Sequence, residues 1–176
     1  LQCRDQKDAE PLARALDEMN TARRAIQERI LNEAISQVTD PSPEVVLVHG
    51  KESDGWHRGV TGIVAGRLRD HFNCPALVIT VTEAGCVGSM RSTPGVHSVA
   101  LLESADGLLD RYGGHPAAAG FSLSEDRIAE FKKTVEHSVR ELASPDKAPT
   151  YCAELRRESS DLCLELAKEL QVLEPH

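Results

Sequence analysis

Gly113-Gly114-His115-Pro116-Ala117-Ala118-Ala119-Gly120-Phe121 joins two adjacent glycines, a histidine and a run of side chains no larger than a methyl. Its glycines and alanines let a ligand or a second strand come close to the backbone. Two readings follow. Consecutive N–H groups free of side-chain bulk can turn inward as an anion-binding nest, with His115 adding a donor whose charge changes near neutral pH. Alternatively the glycines form a turn that leads into a tightly packed strand of alanines.

Periodicity on either side sets this segment in an α/β pattern. Residues 97–112 read as a helix stopped by Gly113, as helices commonly are. Residues 117–123 read as a strand, after which Ser124 caps a helix over 125–142. Upstream, the apolar run at 45–48 reads as a buried strand and residues 59–72 as a helix. Residues 76–82 and 86–92 read as two further strands. The glycines of the 59–72 helix, Gly59, Gly62 and Gly66, cost helix stability and point to close packing against a sheet or a ligand. Before all of this, Leu12, Leu16, Met19, Ala22, Ile26, Ile30 and Ala34 recur at spacings of three and four. That pattern marks one long helix over about 8–38, starting near Glu10 because Pro11 fits only a first turn. Thr39-Asp40-Pro41-Ser42-Pro43 ends it.

The expected fold is a mixed α/β sheet flanked by helices and preceded by a long connecting helix. Residues 1–40 form the connecting helix and 41–144 the sheet domain. Residues 145–176 form a linker and the start of another domain, with a strand at 151–155 and a helix at 159–173. The chain opens at Leu1 and stops at Pro175-His176, which reads as a piece of something longer.

Composition narrows the function. Aromatic residues are 3% and hydrophobic residues 40%, so Ala, Leu, Val and Ile build the core. No apolar run is long enough for a membrane span, and no secretory leader opens the chain. Cys3, Cys74, Cys86, Cys152 and Cys163 are scattered without a C-x-x-C pair, which fits thiols of a reducing cytosol. The net charge of −8 argues against a surface coated for duplex DNA. Between His49 and Phe121, however, six Lys/Arg stand against seven Asp/Glu, so the acidic surplus lies in the flanks.

Three segments are candidates for gathering around one anion. The first is Gly55-Trp56-His57-Arg58-Gly59-Val60 at a helix start, where unpaired N–H groups and the dipole favour phosphate. Its Trp56 offers either a stacking face for a base or a large core anchor. The second is Gly88-Ser89-Met90-Arg91-Ser92, an arginine fork between two small hydroxyls. On a strand, Ser89 and Arg91 share a face. The third is the segment from Gly113 to Phe121. The histidines show no metal-ligand spacing, and no carboxylate cluster of the kind two-metal phosphodiester hydrolysis needs is present.

Taken in order, these segments resemble the DHH-associated domain of the RecJ family, bacterial single-strand-specific 5′→3′ DNA exonucleases of the DHH phosphoesterase superfamily. The likeness runs through Leu16-Asp17-Glu18-Met19-Asn20 with Arg23-Arg24 and Ile26, and through Gly55 to Leu68. It continues in Gly88 to Ser92 and Gly113 to Phe121. Leu173-Glu174-Pro175 is similar to the start of the family's next, oligonucleotide-binding fold, although His176 departs from it. The resemblance implies a domain that grips the phosphates of single-stranded DNA opposite a metal-bearing DHH domain. Ser89, Arg91, Ser92, Gly113, Gly114 and His115 would hold phosphates, with Trp56, His57 and Gly59 in support. It places no catalytic residue and no metal ligand in this chain, and assigns Mn²⁺ or Mg²⁺ to the whole enzyme. It further implies DNA repair and recombination in the bacterial cytoplasm, with replication or repair proteins as partners. On the nest reading, Gly114→Ala would weaken DNA binding and leave stability nearly intact.

Two rivals stay open. One is a non-catalytic single-strand-binding scaffold whose DHH partner has lost its metal ligands. The other is a DHH phosphodiesterase acting on short RNA, cyclic dinucleotides or phosphonucleotides. The long helix weighs against the second.

Overall fold

The computed structural model describes residues 6–142. The strand at 151–155, the helix at 159–173 and three of the cysteines lie outside the described residues. Within them, five strands form one mixed sheet in the order β1-β2-β3-β5-β4. The strands are β1 (Val46–Lys51), β2 (Ala76–Thr82), β3 (Gly85–Arg91), β4 (Arg111–His115) and β5 (Ala118–Leu123). β1 and β2 are parallel, joined by the crossover helix α2 (Thr61–Phe72), and every other pairing is antiparallel. A parallel pair requires such a crossover, and the apolar runs of β1 and β2 are what a strand covered on both faces needs.

Strand alternation divides the core in two. One face sends Leu47, Leu77, Ile79, Cys86, Met90, Phe121 and Leu123 against α3 (Ser98–Glu103) and α4 (Ile128–Leu142). Phe121 meets Phe131 there at a ring-centroid distance of 5.2 Å. Gly88 lies beneath the Phe121 ring, where a Cβ would collide with it. The opposite face sends Val46, Val48, Ala76 and Val78 against Val64, Ala65 and Leu68 of α2 and Val60 just before it. Beyond them pack Ile30, Leu31 and Ala34 of α1 (Gln6–Ser36).

Several expected boundaries move. α1 begins ahead of Pro11, which sits inside it. The backbone bond that proline removes falls in an exposed segment where no packing depends on it. Only the C-terminal part of α1 reaches the core. Leu12, Leu16 and Met19 are 58%, 52% and 69% exposed, so its N-terminal half carries an uncovered apolar stripe. α2 starts at Thr61, leaving Gly59 in the preceding turn. Ser124 makes no side-chain cap and precedes a single 3-10 turn, Glu125–Arg127, before α4.

The largest correction concerns residues 97–112. They do not form one helix: α3 ends at Glu103, a 3-10 turn covers Asp106–Leu108, and Arg111 already belongs to β4. The apolar spacing of Leu101, Leu102, Ala105 and Leu109 is helical and all four are buried, which is why the pattern reads as helix. Pairing with β5 wins beyond it, because Pro116-Ala117 turns the chain back and Arg111–His115 gains a full ladder. Gly113 is therefore a strand residue rather than a helix stop.

Candidate functional site

Sheet register brings the separated segments onto one face. Directly paired residues of an antiparallel ladder point the same way. Arg91 pairs with Ala118 and Ala118 with His115, forming one row across β3, β5 and β4. Ser89, Gly120 and Gly113 form the next row, and Val87, Ser122 and Arg111 the third. Two strand spacings separate the ends of each row, roughly 10 Å. This is the face that α2 covers over β2. Over β5 and β4 it is open: Arg111, Gly113, His115 and Gly120 are exposed and Ser89 and Arg91 half-buried. The three rows contain no Asp or Glu. Clefts elsewhere, such as that of about 520 Å³ between β1 and α4, share no residue with it.

Arg91 is the centre of this face. Its guanidinium donates to the Met90 carbonyl at 2.9 Å and makes no ion pair among the described residues. It lies against the first turn of α2. A Cβ built on Gly62 would come within 2.9 Å of Nη2 and 3.6 Å of Cζ. The helix has no side-chain cap, and the Thr61 and Gly62 N–H groups have no partner among the described residues. A half-buried cation thus rests at the positive end of a helix with no carboxylate paired to it among the described residues, an arrangement that can accept an anion.

The Ser89 hydroxyl sits 3.3 Å from that of Thr61. Thr61 commits its proton to the Arg58 carbonyl at 2.9 Å, so Ser89 is the donor between the two hydroxyls. To donate to a phosphate, Ser89 must rotate away from Thr61.

Other expected residues lie elsewhere. Ser92 is buried, with its hydroxyl donating to the Val96 carbonyl at 2.7 Å, and so pins the following loop rather than facing outward. Gly114 belongs to the opposite sheet face, paired with Ala119. Its φ is +154° and a Cβ there would collide with the Ala118 carbonyl and come within 2.6 Å of Ala119 Cα. The fold itself requires that glycine. A nest of both glycine N–H groups is not formed, because successive N–H groups of a strand point to opposite sides. Gly113, by contrast, has nothing within 4 Å of an added Cβ.

Trp56 is a core anchor. It is 3% exposed, covers Gly50 and donates from its indole Nε1 to Glu33 at 2.8 Å. His57 is exposed, and its Nδ1 accepts from the Gly59 N–H at 3.0 Å within the turn. Arg29 of α1 donates to the Gly55 carbonyl at 2.7 Å. Gly55 to Gly59 thus links α1 to the start of α2, and none of its residues belongs to the three rows. Sequence reasoning missed Arg111, whose alternation with Gly113 and His115 was its only signal. It also missed Thr61 and Gly62 as neighbours of Ser89 and Arg91. Among the described residues no three His, Cys, Asp or Glu side chains gather where they could hold a metal ion.

Residues 43–141 match the model of the DHHA1 domain family. The single-stranded-DNA-specific exonuclease RecJ of Bacillus subtilis is 31% identical over 179 residues, covering 99% of this chain and 22% of the relative. Its Escherichia coli namesake is 32% identical over 156 residues, covering 82% and 26%. The crystal structure of RecJ from Thermus thermophilus in complex with Mg²⁺ superposes with a TM-score of 0.78 at 31% identity, covering 100% of this chain and 27% of that one. The chain spans about a quarter of the length of these relatives.

Proposed function

This chain belongs to the DHHA1 domain family and is of the RecJ type, and from that premise we propose that it is the strand-gripping domain of a 5′→3′ single-stranded-DNA exonuclease. The observation that carries the reading is Arg91. It is half-buried, without a carboxylate partner among the described residues, and on an open face with His115 and Arg111. A phosphate bound there meets the guanidinium fork and lies beside the open N–H groups of α2's first turn. His115 and Arg111 take neighbouring phosphates across the rows. Gly113, with open space where a Cβ would stand, and the exposed Gly120, whose nearest neighbour there is the Gly88 carbonyl at 3.9 Å, leave the floor low enough for a sugar-phosphate chain.

Cleavage belongs to a separate metal-bearing DHH domain in this reading. Relatives named RecJ have been crystallised with Mg²⁺ and with Mn²⁺. The described residues gather no donor set for such an ion, so this chain contributes grip and no step through the metal. The uncovered stripe of Leu12, Leu16 and Met19 supports a connecting role for residues 1–40 against that domain. Residues 41–144 form the binding domain, and 145–176 lead into the next. No helix among the described residues is long and apolar enough to cross a membrane, and we place the enzyme in the bacterial cytoplasm.

Arg91→Ala in the full-length protein tests this. Losing one charged hydrogen-bonding group should weaken single-strand binding by about 1.5–3 kcal/mol. One fewer phosphate contact should also lower the salt slope of binding by about 0.7. Fluorescence anisotropy with labelled oligothymidylate across a salt series reads both, while the 176-residue chain alone with Mn²⁺ should leave the strand intact. Unchanged affinity and slope in Arg91→Ala would overturn the reading, as would cleavage by the chain alone.

A further inference from the structure

Gly62 occupies the first turn of α2, where its φ is ordinary and glycine is a poor helix former. The fold gives no reason for a glycine there. The three atoms nearest its hypothetical Cβ outside the helix backbone all belong to side chains: the far end of Arg91, with Nη2 at 2.9 Å and Cζ at 3.6 Å, and the Ser89 hydroxyl at 3.6 Å. Gly66, one turn further along α2, has nothing within 4 Å of its own hypothetical Cβ. Of the two glycines of this helix, then, only Gly62 has that space occupied, and the occupant is the Arg91 guanidinium, which has no ion-pair partner among the described residues.

We propose that Gly62 is a positioning residue, the seat on which the Arg91 guanidinium lies so that its fork faces along the row toward His115. The proposal rests on the reading that Arg91 holds a phosphate. A methyl at Gly62 leaves helix and sheet in place and lifts the guanidinium off the first turn. Two parallel N–H···O bonds need both nitrogens in one plane with the anion, so a displacement of a few tenths of an ångström costs the fork more than it would a point charge. Two cationic ends, guanidinium and helix terminus, stay together without an anion because Arg91 is tethered by its own strand and by the Met90 carbonyl.

The test compares Gly62→Ala, Arg91→Ala and the double variant in the full-length protein, with metal chelated so that no strand is cut. Thermal melts are paired with anisotropy titrations of 5′-phosphorylated oligothymidylate. Gly62→Ala should melt at or above the parent temperature while its affinity falls about tenfold. In the Arg91→Ala background the same change should add no further loss, since the pair acts as one unit. Parental affinity in Gly62→Ala, beside weakened Arg91→Ala, overturns the seat and leaves the phosphate reading standing. An equal loss in both backgrounds overturns it too, as does a melt well below the parent. If Arg91→Ala itself binds normally, the phosphate reading falls and the seat with it.

Discussion

Alanine at Gly113 and alanine at Gly114 should have opposite effects, although the two residues are adjacent. At Gly114 the φ of +154° lies in the region that side chains rarely adopt, a strain of about 1–3 kcal/mol. The methyl would also press into the Ala118 carbonyl and approach Ala119 Cα to 2.6 Å, which adds about 1–3 kcal/mol of overpacking. The total of about 2–6 kcal/mol corresponds to a melting temperature lower by roughly 10 °C or more for a domain of this size. At Gly113 the φ is ordinary and the Cβ enters open space, so alanine should leave stability unchanged or raise it by about 0.5–1 kcal/mol. That methyl, however, stands on the open face between Gly120 and the free edge and should weaken single-strand binding by about 1 kcal/mol or more. Circular-dichroism melts and anisotropy titrations of both variants in the full-length protein decide the matter. A Gly114→Ala protein that melts with the parent would refute the strand geometry, and a Gly113→Ala protein that binds normally would refute contact at that floor.

Trp56→Phe should cost about 1–3 kcal/mol, because the hydrogen bond to Glu33 is lost and the smaller ring fills less of the space over Gly50, and should leave strand affinity within twofold. A tenfold fall in affinity with an unchanged melt would instead make Trp56 a stacking platform. Burial pushes the Cys74 thiol up from 9.0 to about 11, against a backbone hydrogen bond at Val46. The unfolded thiol therefore ionises first, and stability should fall as pH climbs from about 9 to about 11, by up to about 1.4 kcal/mol per pH unit. Cys74→Ala should flatten that part of a denaturation series, and an unaltered alkaline slope would count against the shift.

The sequence by itself determined whatever depends on neighbours along one element. The β-branched runs of β1 and β2, the helical stripe of α2 and the alternation that puts Ser89 and Arg91 on one side were all readable, because period and pleat are local properties. So was the family, carried by four separate runs of residues in order. What only the tertiary structure decided is which elements lie side by side. The crossover through α3 delivers β5, not β4, to the edge of β3, and that order alone sets Arg91 in a row with His115 and Ser89 in a row with Gly113. The same ladder claims Arg111 and Tyr112 from the helix their spacing implied, since a strand edge satisfies their backbone groups as a helix end would not. Ser92 and Ser89 look equivalent in sequence. They part because the strand ends between them, which turns one hydroxyl into the buried loop and leaves the other beside Thr61. Gly113 and Gly114 are the same residue type, yet one borders open space and the other the β5 backbone, a distinction made entirely by the chain that folds back across them.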